Sequence, residues 1–244
     1  MTRHRLDELL VARGLYPTRA RARDAIRRGT IRIDGAMASK PAQMVAEAAQ
    51  IETADPARHY VSRAALKLRH ALAHFAIDAA GRHCLDIGAS TGGFTQVLLE
   101  HGAAHVTAID VGHHQLAVEL RGNPRLSMLE GLNVRDLVSA HLAQPPDLIV
   151  CDVSFISLKL ALPPALALAL PGARLVALIK PQFEAGREAV GKGGIVADPA
   201  IHQHVCGEIR SFLEVQGWQV IGIAPSPVTG GDGNREFLIA ALKI

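Results

Sequence analysis

Two lysines and two carboxylates in this 244-residue chain are placed where they could do chemistry together. Asp152 and Lys180 each end an apolar run that predicts a buried strand, and open α/β sheets hold their ligands at the carboxyl ends of strands. Lys67 lies in a predicted amphipathic helix, and Glu236 precedes the last apolar run. Such a set could position a weak nucleophile, such as a hydroxyl, and take or share its proton. Lys67 or Glu236 alone could equally be a surface ion-pair residue.

A glycine-rich turn upstream indicates a cofactor site. The run Cys84-Leu-Asp-Ile-Gly-Ala-Ser-Thr-Gly-Gly-Phe-Thr95 predicts a short strand, a sharp turn and a helix whose first amides face a ligand. Asp110 ends the next apolar strand, where a carboxylate can accept hydrogen bonds from both hydroxyls of a ribose. NAD enzymes, flavoproteins and S-adenosylmethionine enzymes all use such a turn. The G-x-x-x-G-G spacing favours a ligand without phosphates over a dinucleotide.

The elements that must position these residues alternate between strands and helices from residue 60 onward. After a helix over 61–75, we predict strands near 84–88, 105–110, 126–130, 148–152, 173–180, 218–224 and 235–243, with helices between them. This alternation predicts an α/β fold with a mostly parallel sheet covered on both faces. The connection over 225–234 is too short for a crossover helix, so the last two strands should pair antiparallel.

The first forty residues form a separate, basic unit. They hold ten Lys/Arg against four Asp/Glu, whereas residues 41–244 hold sixteen against nineteen. The pattern predicts short helices over 5–13 and 19–28, with Thr18 as an N-cap and Gly29 as a stop. A strand and a hairpin turn at Asp34-Gly35 follow.

The arginines of this unit predict contact with nucleic acid. Arg19, Arg23 and Arg27 share one face of the second helix, which lacks the interleaved acids of an ordinary solvated face. We therefore expect nucleic-acid binding by a set of basic residues: Arg5, Arg19, Arg23, Arg27 and Lys40.

Other features narrow the function further. Cys84, Cys151 and Cys206 have no metal-ligand spacing, the histidines show no ligand grouping, and we expect reduced packing cysteines, no metal and a cytoplasmic location. No signal segment is visible and the most apolar stretch, 158–179, is broken by charges and prolines, so we expect no membrane span. The stretch 186–193 nearly spells a phosphate-binding loop but lacks its Ser/Thr, and we interpret it as a flexible loop that offers Arg187 and Lys192 to phosphates.

If the glycine-rich turn binds S-adenosylmethionine, two kinds of methyl transfer still fit the sequence poorly. Methylation of a base amine favours an Asn/Asp-Pro-Pro-aromatic turn, where this chain has Asp152-Val-Ser-Phe155. Methylation of cytosine carbon 5 requires an activated cysteine. Cys151 is the candidate, but strand alternation places its side chain on the face opposite Asp152.

Both halves resemble known modules. The first fifty residues resemble the S4 RNA-binding module at Arg5-Leu-Asp7, Gly14-Leu15, Thr18-Arg-Ala20, Arg23, Ile26, Gly29, Ile31, Ile33, Asp34-Gly35 and Lys40-Pro41. The four polar residues match the Lys-Asp-Lys-Glu set of the FtsJ-like ribose 2′-O-methyltransferases. With Tyr60-Val-Ser-Arg-Ala-Ala-Leu-Lys-Leu68 and Lys180-Pro-Gln-Phe-Glu184 added, the whole chain resembles the TlyA family, often labelled hemolysin A.

The resemblance implies a small α+β S4 domain over 1–59 and a Rossmann-like, seven-stranded methyltransferase domain over 60–244. It implies transfer of a methyl group from S-adenosylmethionine to a cytidine 2′-hydroxyl in ribosomal RNA of either or both subunits. Lys180 would accept or share the hydroxyl proton, Asp152 would orient it, and Lys67 and Glu236 would complete the network. The implied cofactor residues are Asp86, Gly88, Ser90, Thr91, Gly92, Gly93, Phe94, Asp110 and, on the adenine side, Asn133.

Three function classes remain open at this point: an RNA methyltransferase, an RNA-binding ribosome-associated factor without activity, and a membrane-lytic protein. The third is least favoured because the sequence shows neither a spanning segment nor a strongly apolar amphipathic helix. The expected partners are ribosomal RNA or ribosomal subunits, with no membrane and no protein partner predicted.

Overall fold

The chain folds as two units, Met1–His59 and Tyr60–Ile244. The computed structural model describes residues 2–231 and 233–244. Met1 and Asp232 therefore lie outside the described residues, and Asp232 belongs to the predicted connection over 225–234.

The N-terminal unit packs two helices against short strands. Its elements are β1 (Arg3–Arg5), α1 (Leu6–Ala12), α2 (Arg19–Arg27), β2 (Ile31–Ile33), β3 (Ala36–Met37), β4 (Met44–Ala46) and β5 (Ile51–Thr53). Leu6, Leu10 and Ile26 are buried between the helices and β2. Thr18 Oγ1 accepts a hydrogen bond from the Arg21 amide at 3.3 Å, so the predicted N-cap is confirmed.

The predicted hairpin of this unit is also confirmed. Asp34 and Gly35 have φ values of 49° and 79° and form a two-residue turn that pairs β2 with β3. Positive φ at both central residues matches the right-handed twist of the flanking strands, and Asp and Gly tolerate it better than other residues.

The larger unit has the predicted seven-stranded sheet. Its elements are α3 (Ala65–His74), β6 (His83–Ile87), α4 (Gly93–Glu100), β7 (His105–Asp110), β8 (Leu126–Glu130), β9 (Leu148–Cys151), α5 (Leu158–Ala161), α6 (Pro163–Leu168), β10 (Arg174–Ile179), α7 (Pro181–Glu184), α8 (Pro199–Val215), β11 (Trp218–Pro225) and β12 (Phe237–Lys243). The strand order is β11-β12-β10-β9-β6-β7-β8. Only β12 runs antiparallel to its neighbours β10 and β11, as we predicted for the last two strands.

Alternation along the strands divides the apolar side chains between two cores. Val150 and Leu178 face α3 and α4, whereas Ile149 and Cys151 face α5, α6 and α8. The chain proceeds from β6 through β7 to β8 and then returns to β9 on the other side of β6. This reversal opens a crevice at the carboxyl ends of β6 and β9, where such sheets bind ligands.

The prediction of helices between all the strands is wrong in two connections. Between β7 and β8 the chain has only a short 3-10 turn, Val118–Leu120, and between β8 and β9 only the turns Val134–Asp136 and Ser139–His141. Both segments contain glycines at positive φ and prolines, which interrupt α-helical hydrogen bonding. Helix α3 begins at Ala65 rather than at residue 61. Among the described residues, no helix combines the length and the apolar character that crossing a membrane requires.

We expect Gly88→Ala to destabilise the protein by about 2–4 kcal/mol in urea unfolding. Gly88 has φ +80°, and an added Cβ would lie 2.8 Å from the main-chain oxygen of Asp152, which cannot move without displacing the end of β9. Gly81→Ala is the matched control, because Gly81 has φ +71° and nothing within 4 Å of its Cβ position. The control should lose only about 1–2 kcal/mol from backbone strain. Equal losses in the two variants would contradict the contact.

Candidate functional site

Strand alternation brings three of the four polar residues to one face of the sheet edge. Asp152 lies two residues beyond Val150, and Lys180 two beyond Leu178, so each continues the face that packs against α3 and α4. Because β12 runs antiparallel to β10, its start lies beside the end of β10, with Phe237 opposite Ile179. The residue before β12, Glu236, therefore lies beside the residue after β10, Lys180.

Helix α3 supplies the fourth residue. Leu68 packs in the same core as Leu238 of β12, which fixes the helix over the strand ends. Lys67, in the first turn of α3, then points at Glu236, with 2.6 Å between Nζ and Oε2. The sequence places Lys67 far from the other three, so only packing of the helix on the sheet completes the set.

The four side chains form a chain of alternating charges. Lys67 Nζ also lies 3.7 Å from Asp152 Oδ2, and Lys180 Nζ lies 2.7 Å from Asp152 Oδ1. Lys67, Lys180 and Glu236 are buried, and Asp152 is nearly so. Buried charges of one sign would be strongly destabilising, and the alternation of sign makes their burial tolerable.

Two neighbouring residues that the sequence analysis passed over support this set. Lys180 Nζ donates a hydrogen bond to Ser154 Oγ at 2.9 Å. Glu184 accepts hydrogen bonds from Ser157 Oγ at 2.5 Å and from the Leu158 amide at 2.8 Å, and so ties the segment after β10 to the segment after β9. Burial raises the pKa of Glu184, although these hydrogen bonds oppose the shift. The only sequence signal was the position of Glu184 within Lys180-Pro-Gln-Phe-Glu184.

A cavity of about 920 Å³ opens beside the charged set. Asp152 and Ser154 form one wall, and the predicted cofactor residues Gly88, Ser90, Asp110 and Asn133 line the rest. The cavity is large enough for a nucleoside-sized ligand, and Asp152 is the member of the charged set that lines it.

Asp110 is held at the rim of this cavity by main-chain amides. Its Oδ2 accepts from the Ser90 amide at 2.8 Å, and its Oδ1 accepts from the Gly112 amide at 2.7 Å. Each carboxylate oxygen keeps a further lone pair, so both can still accept a hydroxyl hydrogen. The donor set therefore fits a ribose. Asn133 Oδ1 accepts from the Arg135 amide at 3.1 Å and caps the following turn.

Five predicted cofactor residues lie outside the cavity lining, which differs from our expectation. Phe94 is buried in the core beside α3, and Asp86 is fully buried, with its Oδ2 accepting from Thr95 Oγ1 at 2.6 Å. Gly92 and Gly93 are buried as well: a Cβ at Gly92 would collide with the side chain of Leu120, and one at Gly93 would lie 3.0 Å from Ser62. These four residues pack against the turn on the side away from the cavity. The space left by the missing side chains of the two glycines is filled by other protein side chains. Thr91 is exposed but lies outside the lining.

An exposed aromatic side chain stands at the mouth of the cavity. Phe155 is 90% exposed and has φ +65°, a strained conformation for a bulky residue. Its ring centroid lies 5.2 Å from that of Phe183, and both rings line the cavity. The sequence analysis quoted Phe155 only as a departure from another motif, so its role was missed.

The alternative based on cysteine chemistry finds no support in the structure. Cys151 is fully buried on the face away from Asp152, and burial raises the pKa of its thiol, which disfavours a reactive thiolate. No group of three or more His, Cys, Asp or Glu side chains in residues 2–231 and 233–244 is arranged to hold a metal ion.

The loop over 186–193 has two short turns, Arg187–Ala189 and Lys192–Gly194, in place of a phosphate-binding helix start. Arg187 and Lys192 are exposed. Just beyond the loop, the Val196 amide donates to Asn234 Oδ1 at 2.9 Å, which anchors it two residues before Glu236.

The basic residues of the N-terminal unit divide into two groups. Arg13 donates to the main-chain oxygens of Glu47 and Ala49, and Arg28 pairs with the buried Asp55 at 2.9 Å, so these two hold the unit together. The predicted RNA contacts Arg27 and Lys40 are exposed. The other three predicted contacts, Arg5, Arg19 and Arg23, are partly exposed and lie within 3.2 Å of Asp7. Asp7 and Glu8 of α1 supply acidic partners to this stripe, and α2 itself carries Asp24, which corrects our view of the stripe as uncompensated.

Comparison with known proteins agrees with both units. The model of the FtsJ-like methyltransferase family matches residues 60–243, and the model of the S4 domain matches residues 4–51. The 16S/23S rRNA (cytidine-2′-O)-methyltransferase TlyA of Mycobacterium tuberculosis is 46% identical over 97% of this chain and 89% of its own length. The protein named hemolysin A of Brachyspira hyodysenteriae is 39% identical over 96% of this chain and 98% of its own.

A solved structure shares the whole arrangement. A protein of Streptococcus thermophilus that carries a hemolysin name has a TM-score of 0.79 and 39% identity, covering 100% of this chain and 89% of that one.

The buried Asp86 predicts a pH-dependent stability. Burial raises its pKa from 3.8 to about 7, and the nearby charges of Asp152 and Asp110 add to the rise. Between pH 4 and 7 the folded chain then holds a proton that the unfolded chain has released, so this group lowers stability as pH rises, and its contribution is constant above 7. We expect Asp86→Asn to gain stability relative to the native chain as pH rises through this window, measured by urea unfolding. Parallel pH profiles would show that Asp86 is ionised in the fold.

Proposed function

Because the chain belongs to the FtsJ-like methyltransferase family, in the TlyA group that joins an S4 domain to it, we propose that it methylates a ribose 2′-hydroxyl of ribosomal RNA. The carrying observation is the alternating chain of Glu236, Lys67, Asp152 and Lys180, of which Asp152 lines a nucleoside-sized cavity. The M. tuberculosis relative acts on cytidine in 16S and 23S RNA, and cytidine is the target that we propose here as well.

S-adenosylmethionine is the methyl donor that fits the cavity. Asp110 would accept the ribose hydroxyls, Gly88 and Ser90 would line the methionine part, and Asn133 would lie on the adenine side. When bound, this cofactor supplies an electrophilic methyl group on a sulfonium. Asp152 lies in the same lining, so the acceptor hydroxyl and the methyl donor would meet at the charged set.

Lys180 is the residue that we assign to the hydroxyl proton. A 2′-hydroxyl is a poor nucleophile, and transfer requires in-line positioning together with loss of its proton near the transition state. Asp152, 2.7 Å away, fixes the direction of the Lys180 amine. Lys67 lies between Asp152 and Glu236. It contacts the Asp152 oxygen that does not contact Lys180, and so helps to hold the Asp152 carboxylate in place. The hydroxyl proton would pass to Lys180, whose amine can accept it once it has released one of its own protons to Asp152, 2.7 Å away. S-adenosylmethionine would supply the methyl group and would leave as the neutral thioether.

Phe155 fits a role in holding the target base. A ribose in a structured RNA reaches a recessed site only when its nucleotide leaves the stack, and an exposed base then needs a flat apolar surface. Phe155, backed by Phe183, offers such a surface at the cavity mouth. Stacking on an aromatic side chain contributes about 1–3 kcal/mol and is tolerant of sequence.

A membrane-lytic function is the weaker alternative despite the hemolysin names of two similar proteins. The four charged residues are brought together with short contacts and beside a cavity, an arrangement that lysis does not need. Dye release from liposomes tests that alternative directly.

We expect Lys180→Ala to lower methyl transfer by about a hundredfold or more in single-turnover assays on ribosomal subunits, because the hydroxyl loses its proton acceptor. S-adenosylmethionine binding, measured by calorimetry, should change little. Lys159→Ala is the control, since Lys159 forms only a partly exposed ion pair with Glu208. Wild-type single-turnover rates for Lys180→Ala would exclude the assigned role, and native protein that binds the cofactor but methylates neither subunit would favour the inactive RNA-binding factor.

We expect Phe155→Ala to weaken methylation at low RNA concentration by about fivefold or more, because the base loses its stacking surface. Phe155→Tyr keeps a flat ring and should retain most of the activity. The measurement is kcat/KM with ribosomal subunits as the varied substrate. Equal values for the native protein and Phe155→Ala would remove the stacking role.

A further inference from the structure

A buried aspartate lies at the centre of the basic surface of the N-terminal unit. Asp7, in the first turn of α1, has no exposed side-chain surface. Its Oδ1 lies 3.1 Å from Arg5 Nε, and its Oδ2 lies 3.2 Å from Arg19 Nη2 and 2.9 Å from Arg23 Nε. One carboxylate therefore binds an arginine from β1 and one from each of the first two turns of α2.

The arginines keep much of their binding capacity. Their side chains are 36%, 47% and 43% exposed for Arg5, Arg19 and Arg23. A guanidinium has five N–H donors, and contact with Asp7 takes one or two from each. Burial alone would raise the pKa of Asp7, but the hydrogen bonds from Arg5, Arg23 and Arg19 outweigh it and hold the pKa well below its ordinary value. The carboxylate therefore stays charged, and the three cations remain gathered around it.

We propose that Asp7 is a positioning residue for RNA binding, which holds Arg5, Arg19 and Arg23 as a preformed receptor for backbone phosphates. The inference rests on the proposed function, because it takes ribosomal RNA as the ligand. Three free arginines would repel one another and sample many rotamers, and ordering them would weaken binding. Anchored on Asp7, they present fixed donors that match phosphate oxygens.

The main chain of Asp7 extends the same arrangement to a fourth basic residue. Its amide donates to the Pro41 oxygen at 3.0 Å, and the Leu6 amide donates to the Gln43 oxygen at 2.9 Å. These bonds fix the segment that begins with the exposed Lys40 against the start of α1. A substitution of the Asp7 side chain by asparagine retains both main-chain bonds.

The expected effect of Asp7→Asn on RNA binding is opposite to the effect that net charge alone predicts. Removing a carboxylate from a basic surface increases its positive charge, which by itself strengthens binding to RNA. If Asp7 positions the arginines, Asp7→Asn weakens binding instead. We expect a rise of about tenfold in Kd for transcribed 23S rRNA, with a salt slope smaller by about 1–2. The measurement is filter binding by the full chain across a salt series.

Glu8→Gln is the matched control. Glu8 is 47% exposed and contacts Arg19 at 3.1 Å and Arg5 at 3.7 Å, so the substitution removes the same charge from the same surface without removing the buried anchor. It should bind RNA equally or slightly more tightly. Steady-state methylation should separate the roles, because Asp7→Asn should raise KM for RNA and leave kcat at saturating RNA unchanged.

A charge-conserving variant covers the case in which Asp7→Asn unfolds the N-terminal unit. Arg23→Lys keeps the charge at a 43% exposed position but loses the Nε contact to Asp7, and we expect weaker RNA binding at equal net charge. Unchanged or tighter binding by Asp7→Asn, or by Arg23→Lys if the first variant unfolds, overturns the inference. Weaker binding without any methyl transfer by the native protein would support the inference while removing the proposed function. Native protein that fails to bind the RNA would overturn both.

Discussion

The ion-pair chain of Glu236, Lys67, Asp152 and Lys180 is the constraint on which the larger unit depends. Four charged side chains lie largely out of water, and each has an oppositely charged neighbour within 2.7 Å. Loss of one partner from a buried pair commonly destabilises a protein by about 3–5 kcal/mol, because a charge is left uncompensated. The four elements that carry these residues must therefore converge closely. The antiparallel insertion of β12 between β10 and β11 is what makes the convergence possible, because it turns the start of the last strand toward the ends of the parallel ones.

The same convergence couples the cofactor turn to the reactive residues. The Cβ position of Gly88 lies against the main chain of Asp152, so the turn after β6 and the end of β9 share one packed contact. Glu184 joins the end of β10 to this assembly through Ser157 and Leu158. In the proposed reaction, a ligand in the cavity and an acceptor hydroxyl beside Lys180 would therefore both be held against the same edge of the sheet. Such positioning is what transfer between two bound groups requires, since small displacements lower in-line reactivity.

Charge in the N-terminal unit is organised differently, because the arginines are pinned by buried acids rather than placed by strand ends. Asp55 fixes Arg28 inside the unit, whereas Asp7 gathers arginines that stay partly exposed. The arginines of this basic segment therefore fall into two groups, one that stabilises the unit from inside and one that faces solvent. Net charge identifies such a surface, but burial decides which arginines belong to it.

The sequence by itself determined the strands and the topology class, and it pointed to the charged residues that end the strands. Apolar runs ending in Asp152 and Lys180, and a short connection before the last strand, depend on local periodicity and connection length, which a sequence displays directly. The resemblance to the FtsJ-like group supplied the sheet order and the grouping of Lys67 with the other three.

Only the tertiary structure decided which of these side chains are buried, which are exposed and which pair with each other. Phe94 and Asp86 sit beside the glycine turn in sequence, but alternation and helix packing bury them behind it. Phe155 is a large apolar residue, a type that is usually buried, but the bend after β9 exposes it. Asp7 and the arginines of α2 lie 12 and 16 residues apart, and their pairing depends on two helices packing together. Periodicity describes a residue relative to its own element, whereas contacts between elements depend on long-range packing that no local pattern contains.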